Sequence, residues 1–144
     1  MKGNDFLVYA GKVVALHREE AAARTAISRA YYGAFHATIE LLRELQVAID
    51  FNHGHVWQDL QNSNDTTAQE IGRRLQELHA NRVTADYRIH DQFVEVRLAM
   101  SCVEIGQRIV TSLGKLKETL ASAGSQQSFI ASITAFRAKL GRRV

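Results

Sequence analysis

Proline is absent from this 144-residue sequence, and cysteine occurs once, at Cys102. Proline punctuates loops and strand edges, so its absence predicts few irregular connections and long uninterrupted helices. A lone cysteine excludes an intrachain disulfide framework and fits a reducing compartment. No apolar run reaches the roughly eighteen residues that a membrane span requires. The opening run Met1-Lys2-Gly3-Asn4-Asp5 lacks the continuous apolar stretch of a secretion signal. The expectation is a cytoplasmic protein with no membrane contact. Also missing are a Gly-rich phosphate loop, a C-x-x-C pair and an H-E-x-x-H zinc helix. No cofactor and no metal site is expected.

What is present fits one domain. Aromatics at 8% and charged residues at 23% are neither a disordered nor a fibrous composition. A chain of this length buries about two-thirds of its unfolded surface and holds a core without staples. The formal charge is +3 and the pI about 9.2, which invites a nucleic-acid reading. Yet Arg137, Lys139, Arg142 and Arg143 all fall in the last eight residues. Setting them aside leaves fourteen basic against fifteen acidic residues, a body near −1. The segment 137–144 therefore reads as a solvated basic tail on a single domain spanning 1–144.

Apolar residues recur at helical spacing along most of the chain. Asn4 or Asp5 can cap a first helix bearing Phe6, Leu7, Ala10, Val13 and Val14. A second runs from about Glu19 to Leu45, with Ala30, Gly33, Ala34 and Ala37 leaving room for another helix to approach. Turn-favouring Asn52, Gly54, Asn62, Ser63 and Asn64 mark an irregular segment with a short helix across His55–Leu60. Thr67 and Glu70 have capping-box spacing and open a third long helix. Asp91 can cap a fourth, ending near Ser122–Gly124, and Ser125 a last. No period-two alternation or hairpin dipeptide competes. The expected fold is an all-α, up-and-down bundle of four main helices with short additions.

Polar side chains gather on two of these helices. Ser28, Tyr32 and His36 follow at spacings of four and share a face, flanked by Arg29 and Tyr31. Such groups are costly to bury unless paired. Either they form a satisfied seam between helices, or they line a pocket for a polar ligand. On the third helix His79, Arg82, Asp86 and His90 fall at spacings of three, four and four. Arg82 and Asp86 can pair as a plain surface ion pair. Alternatively Arg82 holds a phosphate bidentately and a histidine moves a proton near neutral pH. In the loop, His53 and His55 read as one capping and one exposed residue, without a third ligand for a metal.

Two runs carry a family resemblance. Ser28-Arg-Ala-Tyr-Tyr-Gly-Ala-Phe-His36, then His53, then Arg82-Val-Thr-Ala-Asp-Tyr87, resemble the HEPN family (higher eukaryotes and prokaryotes nucleotide-binding domain). The likeness is to its small stand-alone bacterial and archaeal members with S-R-A-Y-Y-x-x-F and R-x-x-A-D-Y helices, and covers about 6–116. It implies an up-and-down helical bundle and a homodimer that brings two active motifs to one cleft. It also implies either a metal-independent endoribonuclease toxin acting on RNA or a non-catalytic module. The latter would bind a nucleotide or a minimal nucleotidyltransferase of antitoxin type. By this likeness Arg82 binds the scissile phosphate and His90 is the general acid/base. Ser28, Tyr31, Tyr32, Asp86 and Tyr87 would contact substrate or nucleotide. Nuclease members set the histidine within two helical turns of the arginine; here His90 lies eight positions beyond Arg82, slightly more than two turns.

Overall fold

An alanine-rich helix can approach its neighbours more closely than one built of large side chains, and that fact organises this chain. The computed structural model describes residues 1–50 and 52–142. Among them are six helices and no strand: α1 (Gly3–Leu16), α2 (Glu20–Glu44), α3 (His53–Gln61), α4 (Thr66–Tyr87), α5 (Val96–Thr119) and α6 (Ala123–Lys139). The all-α bundle expected from the sequence is the fold observed. None of these helices is long and apolar enough to cross a membrane.

The long helix α2 is central and packs against α1, α4 and α5. Its stripe Ala23, Ala26, Ile27, Ala30, Tyr31 and Ala34 is fully buried. Against α1 the fit leaves no room for a methyl group. A Cβ on Gly33 would sit 2.8 Å from Leu7 Cγ and 2.9 Å from the Gly3 carbonyl oxygen. Gly3 lies against Ala37 and Leu7 against Gly33, so the two helices run antiparallel. On α4, Gly72 does the same for α3, where an added Cβ would meet the Trp57 carbonyl oxygen at 2.7 Å.

Several expected caps shift. Lys2 stands at the N-cap of α1, and Asp5 accepts its backbone N–H at 2.7 Å. Asn52 caps α3 through the amides of Gly54 and His55, so His53 does not cap. For α4 the cap is Asp65, which accepts from Ala68 N–H at 2.8 Å, rather than Thr67. Glu95, not Asp91, precedes α5, and Ser122, not Ser125, caps α6 by accepting from Ser125 N–H. At α4 and α6 an aspartate or serine two or three residues upstream captures the start, whereas α5 begins four residues later than Asp91 would place it, because the N-cap is set by where extended backbone turns helical.

Two residues of the expected basic tail, Arg137 and Arg142, are not solvated, while Lys139 is exposed. Arg137 is buried, and its Nη2 lies 2.7 Å from Asp59 Oδ2 on α3 and 2.7 Å from the Ala48 carbonyl. Gly141 adopts φ +65°, and the N–H of Arg142 returns to the Arg137 carbonyl. This left-handed closure folds Arg142 back onto Asp59, with Nη1 2.9 Å from Oδ1. Two of the four terminal cations thus neutralise a buried carboxylate and fasten α6 to α3. Arg143 lies outside the described residues.

Candidate functional site

Helices α2 and α4 run side by side in opposite directions, and their polar residues meet. Ser28 on α2 donates to Asp86 Oδ2 at 3.3 Å. Tyr32, one turn on, accepts from Arg82 Nη2 at 2.8 Å through its hydroxyl oxygen. Tyr87 accepts from the same Nη2 at 3.3 Å. The guanidinium carbon lies 5.2 Å from the centre of each tyrosine ring, so Arg82 is sandwiched between two π faces. Arg82 Nε is 2.7 Å from Asp86 Oδ2. Its N–H is not aimed to donate there, so the contact is an ion pair by distance without a formed hydrogen bond. Burial works against the guanidinium's charge, but Tyr32, Asp86 and Tyr87 hold its proton more firmly than usual.

Five of the seven site residues expected from the sequence therefore form one cluster: Ser28, Tyr32, Arg82, Asp86 and Tyr87. Tyr31 adjoins it, its ring 5.3 Å from that of Tyr32, but it turns inward and is fully buried. His90 does not join. Helix α4 ends at Tyr87, and His90 sits exposed in the turn beyond. The cause is Arg24 of α2, whose Nη1 takes the Thr84 and Ala85 carbonyls at 3.1 and 2.8 Å. Its Nη2 holds the Gln92 carbonyl at 2.6 Å, and Glu20 Oε1 accepts from Val94 N–H at 3.2 Å. This clamp draws the chain away from the helix axis. The face shared by His79, Arg82, Asp86 and His90 therefore loses its last member.

A different imidazole takes a place beside Arg82. His53, at the start of α3, stacks on Phe35 at 4.2 Å and shares a hydrogen bond between its Nδ1 and the Tyr31 hydroxyl. His79, on the Arg82 helix, lies edge-on to Tyr31 at 5.3 Å and against Trp57 at 4.7 Å. Both titrate below the usual histidine value. Burial disfavours their charged forms first; His79, Arg82 and His36 add repulsion at His53, and Arg82 at His79. The sequence holds one signal for this pair: His79 precedes Arg82 by three positions, one helical turn. His53 is separated from Arg82 by a turn region, and only folding brings it near.

Of the remaining polar residues of α2, Arg29 goes elsewhere, while His36 reaches outward and also stacks on Tyr32 at 6.2 Å. Arg29 lies over the Phe6 ring at 5.8 Å and His36 stacks on it at 5.9 Å, beside a cleft of about 460 Å³ lined by Phe6, Tyr9, Thr25 and Arg29. Cys102 is buried on α5, and burial, with Glu77 nearby, pushes its thiol up to about 12, which makes it inert. Among the described residues no group of three or more His, Cys, Asp or Glu is placed to hold a metal ion.

The chemistry available is that of an anion site with a proton acceptor or donor nearby. A charged, half-buried guanidinium and two tyrosine hydroxyls can meet phosphate oxygens. The neutral imidazoles need no metal to take part in proton transfer. No family model, curated protein or solved structure matches the chain.

Proposed function

We propose that this chain is a HEPN-type protein of a toxin–antitoxin or related defence system, and that it acts in the cytoplasm as a metal-independent endoribonuclease. The observation that carries the reading is Arg82, aligned by Asp86 and held between Tyr32 and Tyr87 with neutral imidazoles one ring away. A phosphodiester displaces part of the Asp86 contact and takes the guanidinium bidentately. A base then removes the 2′-hydroxyl proton, and the 2′-oxygen attacks phosphorus. An acid protonates the departing 5′-oxygen, and Arg82 stabilises the extra negative charge of the phosphorane. In this reading a homodimer joins two such faces, and His90 on its exposed turn contributes the acid or base across the cleft.

The test is RNA cleavage and growth arrest by wild type and by Arg82→Ala. Wild type is expected to cleave and to arrest growth, and the variant to do neither. Equal behaviour of the two proteins overturns the reading.

A second reading has its own support. Asp86 already neutralises Arg82, and His90 stands apart from it, as suits a non-catalytic module. Such a module binds a nucleotide or a minimal nucleotidyltransferase partner. Stable co-purification with such an enzyme, with no RNA cleavage, selects this reading.

A further inference from the structure

Tyr31 is fully buried, with its hydroxyl inside the bundle. Burial raises its pKa far above the ordinary tyrosine value, so the O–H proton is present at neutral pH. A buried hydroxyl needs an acceptor. Among the described residues the only hydrogen-bond partner of the Tyr31 hydroxyl is Nδ1 of His53. A neutral imidazole has one N–H and one lone pair. If Nδ1 carried the hydrogen, it would donate to the Tyr31 oxygen and leave the buried O–H proton without a partner. The same conflict arises if His53 is charged. Nδ1 must therefore be the lone-pair nitrogen, and the hydrogen sits on Nε2. Among the described residues Nε2 has no hydrogen-bond partner within the fold. The ring is clamped by Phe35 and is only half-buried.

We infer that Tyr31 fixes His53 as the Nε2–H tautomer, so that His53 serves the Arg82 site as a neutral hydrogen-bond donor to a phosphate oxygen rather than as a proton acceptor. The inference rests on the reading of Arg82 as a phosphate site and adds a residue and its role. His53 is the binding group; Tyr31 acts through it and is a positioning residue. The groups facing His53 are Tyr31, Tyr32 and His36 from α2, and His79 and Arg82 from α4. Arg82 brings charge, Tyr32 a hydroxyl and His53 an N–H. An anionic ligand suits such a set of donors, whereas a cation or a neutral acceptor-free ligand gains nothing from them.

The experiment is long-range proton–nitrogen correlation NMR on the full chain, followed by titration with inorganic phosphate against chloride at matched ionic strength. At neutral pH the His53 Nδ1 is expected to give an unprotonated shift and Nε2 a protonated one; a protonated Nδ1 overturns the inference. Phosphate, and not chloride, is expected to move the Nε2–H signal; a flat response overturns the ligand role. His53→Gln, which keeps an N–H donor, should retain phosphate affinity, while His53→Ala loses about tenfold, the loss of one hydrogen bond to a charged group. Equal losses in both variants speak against a donor. Tyr31→Phe keeps the buried ring and is expected to relax the tautomer population toward the solution mixture, with a detectable Nδ1–H fraction, and to raise the His53 titration midpoint. An unchanged spectrum removes the positioning role. Should that variant not fold, the wild-type spectrum still decides the tautomer. A phosphate response without RNA cleavage leaves this inference standing and removes the nuclease, so the two failures are separable.

Discussion

Two arginine–carboxylate clusters in this protein look alike in composition and differ in consequence. At Asp59, two guanidiniums from the end of the chain surround one carboxylate: Arg137 reaches it at 2.7 Å and Arg142 at 2.9 Å. The Arg137 and Asp59 side chains are 7% and 5% exposed. At Asp86, one guanidinium meets one carboxylate, and the side chains of Arg82 and Asp86 are 14% and 26% exposed. In the first cluster every partner is internal and the result is a fastening. In the second, tyrosine rings replace further carboxylates, while a guanidinium Nε–H without an aligned acceptor occurs in both clusters, at Arg142 and at Arg82. An arginine enclosed by acceptors holds helices together. One sandwiched between aromatic faces at a surface keeps donors for a ligand.

The sharpest way to break that contrast is to remove the carboxylate from each cluster. Asp59→Ala strands two cations around a buried space and should cost about 3–5 kcal/mol, the usual penalty for breaking a buried pair. Urea unfolding measures the loss, and hydrogen exchange should show α6 exchanging first. A loss below about 1 kcal/mol would mean that Arg137 can reach water and the fastening is not sealed. Asp86→Ala should cost less, about 1 kcal/mol or under, because both partners are partly solvated. The same unfolding experiment ranks the two.

A third effect depends on pH and separates the aromatic side of the Arg82 site from the fastening. His53 and His79 titrate below the usual 6.5 in the fold. As pH falls, the unfolded chain therefore takes up these protons before the folded chain does. Their contribution is complete above about pH 6.5 and is lost as pH falls through their folded values. Thermal melts should decline between neutral and mildly acidic pH, and His53→Gln with His79→Gln should flatten that decline. A slope unchanged in the double variant removes both residues as its source. The smallest effect is expected at Glu104 and Arg108, a pair 61% exposed on both sides. Arg108→Ala should change stability by less than about 0.5 kcal/mol, measured by the same melts.

How much of this was legible depends on the distance over which each feature is written. The small-residue stripe of α2 is legible as a packing face, because it repeats within one helix. Ser28 with Tyr32 and Arg82 with Asp86 are legible as candidates for the same reason, each pair one turn apart, whereas Tyr87 enters through the family resemblance. Periodicity alone carries the helix on to His90, and the structure ends it at Tyr87. Nothing local announced that Arg24, some sixty residues earlier, would take the Thr84 and Ala85 carbonyls. His53 was visible in sequence, yet its partner Tyr31 lies twenty-two positions away and nothing in the spacing joins them. The terminal arginines read as a tail because charge counts do not reveal a buried Asp59.

The sequence by itself determined that the chain is helical, where its long helices run, and which faces of them are apolar. Lack of proline, capping side chains and 3.6-residue periodicity act within a few residues and need no partner. Only the tertiary structure decided which charges are enclosed and which stay available. That choice depends on what a distant segment places opposite each group, and on whether water still reaches it.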